Sequence, residues 1–75
     1  MCGIVGYVGS RDGAEIVTEG LRRLAYRGYD SAGIAVLGAS GIVRRRAVGR
    51  IENLIELLDG DPVHGRTAMG HPRWA

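Results

Sequence analysis

The stretch that decides the fold is the opening run Cys2-Gly-Ile-Val-Gly-Tyr-Val8. Four of its seven residues are bulky and apolar, and the run stops at Gly9-Ser10. A short, nearly continuous apolar run with a turn signal behind it predicts a buried β-strand. We therefore expect the start of the chain to be held rigidly, with Cys2 at one end of that strand.

Downstream of this strand the spacing predicts a helix and then a hairpin. Asp12 is the expected N-cap, with Glu15 three residues later, and Gly28 can end the helix. A buried face at helical spacing is formed by Ala14, Val17, Leu21 and Leu24. Gly20 lies inside the helix, which indicates close packing against another backbone. Residues 29–33 are turn-rich.

The second half of the chain predicts two hairpin strands, a helix and a last strand. Ile34–Leu37 and Ile42–Arg46 are the hairpin strands, joined through residues 38–41. Ile51–Leu58 has apolar residues at i, i+3, i+4 and i+7, which predicts a helix that Gly60 stops. Val63–Met69 is a weaker strand. The order strand, helix, strand, strand, helix, strand is an α+β pattern whose two helices cover one sheet face.

Composition limits the function. A chain of 75 residues and 8.0 kDa forms one small domain, and its formal charge of +2 is too mild for a nucleic-acid-binding face. No apolar run approaches a membrane span, and no secretory signal precedes Cys2, so we expect a cytoplasmic protein with no membrane partner. All ten basic residues are arginine, which excludes Schiff-base chemistry. His64 and His71 match no zinc spacing, so neither a metal nor a cofactor is assigned.

Cys2 is the candidate nucleophile. Removal of Met1 would give one residue both a thiol and an α-amine, and an α-amine with a pKa near 7.7–8.0 can accept the thiol proton. Such a pair suits attack on an acyl or amide carbonyl. The alternatives to a nucleophile are that Cys2 is a small buried hydrophobic residue or a redox sensor. No second cysteine accompanies it as a redox partner.

Two further segments carry chemistry. Arg27-Gly-Tyr-Asp-Ser-Ala-Gly33 places a cation, a carboxylate and hydroxyls between glycines, either around a site or as a helix C-cap and solvated turn. Arg73-Trp74 offers a planar fork for a carboxylate beside a large ring, or an exposed Arg beside a half-buried Trp. Arg44, Arg45 and Arg46 alternate on a strand and indicate a solvated sheet edge rather than a phosphate site.

These motifs together resemble one known family. The terminal Cys2-Gly-Ile-Val-Gly, the segment Tyr26-Arg-Gly-Tyr-Asp-Ser-Ala-Gly33 and the final Gly70-His-Pro-Arg-Trp-Ala75 are similar, in order and spacing, to the start of the glutaminase domain of the glucosamine-6-phosphate synthases. This family is also called the glutamine–fructose-6-phosphate aminotransferases. The resemblance runs through the whole chain. Pro72 stands where the family usually has Thr.

The resemblance implies a class II glutamine amidotransferase with an N-terminal-nucleophile (Ntn) hydrolase fold, an αββα sandwich of antiparallel sheets. It implies that Cys2 forms a γ-glutamyl thioester, that Arg73 binds the α-carboxylate of glutamine, that Trp74 closes the site, and that Arg27 lies near the nucleophile. Hydrolysis of glutamine would release ammonia, which would convert fructose 6-phosphate to glucosamine 6-phosphate in a sugar isomerase domain. The resemblance also implies that the parent protein is a homodimer.

The resemblance further implies that residues 1–75 are an N-terminal fragment of the glutaminase domain. The sugar isomerase domains and the family's Asn-Gly oxyanion hole would lie beyond it, so we expect the isolated chain to be inactive. The alternative is a non-catalytic interaction module that pairs its open sheet edges with a partner or with another copy.

Overall fold

Four strands and two helices follow one another in the predicted order. The computed structural model describes residues 3–24 and 31–72. Its elements are β1 (Val5–Val8), α1 (Gly13–Leu24), β2 (Ser31–Gly38), β3 (Gly41–Val48), α2 (Ile51–Gly60) and β4 (Thr67–His71). The α+β class is therefore confirmed, and the prediction that Gly28 ends the first helix falls outside the described residues.

The strands form one antiparallel sheet in the order β1-β4-β2-β3. The predicted hairpin between β2 and β3 is confirmed, and Gly38 lies opposite Gly41 at its turn. Gly41 has φ +126°, a conformation that residues with a side chain rarely adopt, so the turn depends on this glycine. The last strand, β4, lies between β1 and β2, which joins both ends of the chain in one sheet.

One face of the sheet is covered by both helices. Side chains from alternate strand positions meet the apolar stripes of α1 and α2 there, as period-2 and period-3.6 patterns require. The buried apolar core consists of Ala14, Val17, Leu21, Ala32, Ile34, Val36, Ile51, Leu54, Val63 and Ala68. The helices thus cover a single face, as the sequence predicted.

The opposite face, here called the open face, is not covered by either helix. It carries the even-numbered residues of β1 and β3 and the odd-numbered residues of β2 and β4. Val48 and Val8 on this face are 82% and 81% exposed, and Ile42, Leu37 and Met69 are exposed as well. A row of large apolar side chains this exposed marks a packing surface.

The prediction that β1 is a buried strand was wrong. Val5 and Tyr7 face the helices and are partly buried, whereas Ile4 and Val8 are 69% and 81% exposed. Within the described sheet β1 is an edge strand with one covered face, so its apolar run reflects an open face rather than full burial. A continuous apolar run cannot distinguish these two cases.

The bounds predicted for the last strand were also wrong. Val63 is buried, but it belongs to a loop, and β4 begins only at Thr67. The Gly65 carbonyl accepts a hydrogen bond from the Gly13 amide at the start of α1, and the Arg66 carbonyl accepts one from the Gly9 amide directly after β1, so both elements hold the loop. Residues 31–33, expected in a turn, belong to β2.

The predicted alternation of the three arginines on β3 is confirmed. Arg44 and Arg46 are exposed on the open face, and Arg45 turns to the helix side. There the Arg45 guanidinium lies 3.1 Å from the Asp61 carboxylate and donates to the Asp61 carbonyl at 3.2 Å. With only 22% of its side chain exposed, Arg45 fixes the end of α2 against β3.

Close packing at Gly20 is confirmed, although its neighbour is a side chain and not a backbone. A Cβ at Gly20 would lie 2.7 Å from Cγ1 of Val5.

Asp12 stands just before α1, but its side chain does not cap the helix, because Oδ2 lies 3.2 Å from Nδ1 of His64 and Oδ1 has no partner in the described part of the chain. Neither α1 nor α2 is long and apolar enough to cross a membrane.

Leu54 and Leu57 on α2 form a matched pair for testing the core. Leu54 is fully buried and Leu57 is 36% exposed. Leu54→Ala should lower the free energy of unfolding by about 2–5 kcal/mol, because it leaves a cavity in the only described core. Leu57→Ala should cost well under half as much. Urea denaturation followed by circular dichroism measures both, and equal losses would contradict the assigned core.

Candidate active site

The four predicted site residues, Cys2, Arg27, Arg73 and Trp74, lie outside the described residues. Their described neighbours in the chain define where the polypeptide enters and leaves each segment. Gly3 follows Cys2, Leu24 and Ser31 flank the segment that holds Arg27, and Pro72 precedes Arg73.

These neighbours meet at one end of the sheet. Because β1 and β2 both run antiparallel to β4, the start of β1, the start of β2 and the end of β4 share an end. Gly70 pairs with Val5 on one side and with Ile34 on the other, and His71 lies opposite Gly33. We call this region the junction. It brings together chain segments that are far apart in sequence.

The end of α1 reaches the same junction from the helix side. A Cβ at Gly3 would lie 3.1 Å from Cδ1 of Leu24, so the chain passes close over the last turn of α1. One turn earlier, Leu21 is fully buried and packs so closely on Gly70 that a Cβ there would be 2.9 Å from Cδ1 of Leu21. Sequence analysis treated Gly70 only as part of a motif, and its role in this contact was missed.

The two faces at the junction differ in chemistry. On the helix side Gly70 packs on the buried Leu21, and Pro72, directly after β4, is fully buried as well. On the open face His71 and Arg46 lie on the two strands beside Gly33, which is itself buried. His71 is the titratable residue of β4. In the sequence it belongs to the final motif, and its spacing from His64 matches no zinc site.

The described part of the chain holds no cluster of metal-binding side chains. Residues 3–24 and 31–72 contain no group of three His, Cys, Asp or Glu side chains that could hold a metal ion. The described residues of the junction supply one imidazole and one guanidinium, those of His71 and Arg46. The predicted reactive groups belong to the segments that adjoin the junction.

Comparison with known proteins gives the same assignment along the whole chain. The chain is 56% identical over 75 residues to glutamine–fructose-6-phosphate aminotransferase (isomerizing) of Shewanella oneidensis, and 54% identical over 76 residues to that of Escherichia coli. Both alignments cover the full chain. The chain closely resembles the N-terminal region of these aminotransferases. It spans only 12% of the length of either relative.

A solved structure supports the fold. The glutamine phosphoribosylpyrophosphate amidotransferase of Bacillus subtilis superposes with a TM-score of 0.82 at 27% identity, over the full chain and 16% of that protein. The sheet and its two helices thus match the N-terminal part of an Ntn-hydrolase fold. No family model matches the chain.

Gly70 and Gly6 provide a test of the junction on neighbouring strands. Gly70→Ala should destabilise the chain by about 1–3 kcal/mol, because the new methyl group meets Leu21, which is fully buried and has little room to move. Gly6→Ala is the control, since a Cβ there meets nothing within 4 Å. Thermal unfolding of both variants checks this, and a Gly70→Ala variant as stable as Gly6→Ala would contradict the contact.

Proposed function

We propose that this chain is the nucleophile-bearing part of a glutamine amidotransferase that supplies ammonia for the synthesis of glucosamine 6-phosphate. The observation that carries the proposal is the junction. Cys2 is bonded to Gly3, beside the start of β1, and Arg73 to Pro72, at the end of β4, and these two strands are paired neighbours. The described residues next to the proposed nucleophile and the proposed substrate-binding arginine therefore lie at the same end of two adjacent strands.

Strand alternation supports a common face for these two groups. Even-numbered residues of β1 and odd-numbered residues of β4 lie on the open face. Cys2 is even-numbered and Arg73 is odd-numbered, so in this proposal both residues act on the open face. Glutamine would then bind on the open face at the junction.

The proposed reaction is nucleophilic acyl transfer. After removal of Met1, the α-amine of Cys2 accepts the thiol proton and the sulfur attacks the side-chain amide carbon of glutamine. The C–N bond breaks, the nitrogen takes up the proton and leaves as ammonia, and a γ-glutamyl thioester remains. Water then attacks the thioester, which releases glutamate and regenerates the thiol.

The other predicted residues have binding roles in this proposal. Arg73 pairs its guanidinium with the α-carboxylate of glutamine, a geometry that favours a two-point hydrogen bond. Trp74 closes the site and directs ammonia toward a sugar isomerase domain, where fructose 6-phosphate accepts it. Arg27 lies beside the nucleophile. We propose a cytoplasmic homodimer for the complete protein.

The open face indicates what completes the site. Its exposed apolar side chains need a second layer, and in the proposed sandwich that layer is another antiparallel sheet. Each large apolar side chain covered in this way contributes about 1.5–3 kcal/mol. We therefore expect glutaminase activity only when such a layer is present, because the layer both stabilises the sheet and encloses the substrate.

A chimera tests the proposal. Residues 1–75 of this chain replace the matching region of the Escherichia coli relative, and the chimera and the isolated chain are treated with a glutamine analogue whose amide is replaced by an electrophilic carbon. We expect rapid covalent labelling at Cys2 in the chimera and far slower labelling in the isolated chain. Intact mass and peptide mapping measure the label and report whether Met1 has been removed.

The control chimera carries Cys2→Ser, which keeps the size of the side chain and should lose both the label and glutamine hydrolysis. Equal labelling of the chimera and the isolated chain would refute the need for a second layer. A folded chimera that loses Met1 and still leaves Cys2 unlabelled would refute the nucleophile.

A second candidate is a non-catalytic interaction module, favoured by the eight-residue strand β3 at the edge of the described sheet and by the exposed apolar side chains of the open face. This candidate predicts that the mass of the isolated chain rises above 8.0 kDa with concentration. Light scattering over a hundredfold range of concentration measures it. A constant monomeric mass would reject the module.

A further inference from the structure

A groove of about 320 Å³ separates α1 from α2, on the side of the sheet opposite the open face. Its lining contains five apolar or aliphatic residues, Ala14, Ile55, Leu58, Pro62 and Val63. Ile55 and Leu58 are only half-buried there, although they belong to the apolar side of α2. The groove is large enough for one long side chain with its neighbours, at the lower end of ligand-pocket volumes.

The groove carries an excess of negative charge. Four carboxylates line it, those of Asp12, Glu15, Glu19 and Asp59, against Arg22 and His64. Arg22 is paired with Glu19 at 3.3 Å, and His64 lies 3.2 Å from Asp12. Glu15 on α1 and Asp59 on α2 have no ionic partner within the described ranges. The chain as a whole has a net charge of +2, so this local charge is opposite in sign.

We propose that the groove binds an arginine side chain of a partner peptide segment, with apolar residues beside that arginine. The guanidinium has five N–H donors and a permanent charge, which match the carboxylates of Glu15 and Asp59. The aliphatic stem and its apolar neighbours pack on Ile55 and Leu58. A lysine would supply one compact charge and fewer directed donors.

Amide chemical shifts of the ¹⁵N-labelled 75-residue chain test the proposal. The probe is the capped peptide acetyl-Ala-Leu-Arg-Leu-Ala-amide, and its matched control has Gln in place of Arg. We expect the Arg peptide to shift amides of α1, α2 and residues 62–64, and to bind at least about fivefold more tightly than the Gln peptide, since partly exposed charge pairs each contribute roughly up to 1 kcal/mol.

Two double variants locate the site. Glu15→Gln with Asp59→Asn removes both unpaired charges and should weaken binding of the Arg peptide about fivefold, to the level of the Gln peptide. Glu52→Gln with Glu56→Gln removes two exposed charges of α2 outside the groove and should leave binding unchanged. All four positions are exposed, so the folded spectrum is expected to persist. Equal binding of the two peptides, equal effects of the two variants, or shifts confined to the open face would overturn the proposal.

Discussion

The structure depends on the insertion of β4 between β1 and β2. Each residue from Thr67 to Gly70 faces a partner on both neighbouring strands, and the pairing of Val5 with Gly70 joins the first strand to the last. Closing so long a segment of chain costs conformational entropy, which grows slowly with length. The contact of Leu21 with Gly70 adds apolar burial where the three strands meet. Without β4 the described sheet would be separated into one hairpin and an isolated strand.

This arrangement divides the molecule into two chemically different sides. On one side the helices cover the sheet, and their apolar stripes form the core. On the other side alternate residues of all four strands are left exposed, including Val8 and Val48. The proposed catalytic residues attach at the end of the exposed side. A sheet that leaves one face open can present a nucleophile to a substrate and to a second layer at the same time.

The sequence predicted most of the elements because their signals are local. Helical spacing, the turn at Gly41 and the alternation of Arg44, Arg45 and Arg46 depend on neighbours within a few residues. The burial of β1 and the bounds of β4 could not be predicted in this way. They depend on which strand is at the edge of the sheet, and on hydrogen bonds from the loop before β4 to Gly9 and Gly13. The candidate site was found from motifs, whereas the junction depends on strand order, which no local signal specifies.

Gly70 and Pro72 show how one short strand meets two requirements. Both residues are buried and lack polar side chains, and Gly70 faces the helices, so β4 can lie directly on Leu21. Between them, His71 faces the other way, as do Met69 and Thr67. Packing thus restricts the even positions of this segment, whereas the odd positions can carry polar and charged groups. This division suits the proposed function, because the residues that fix the strand are separate from the positions that would serve a site.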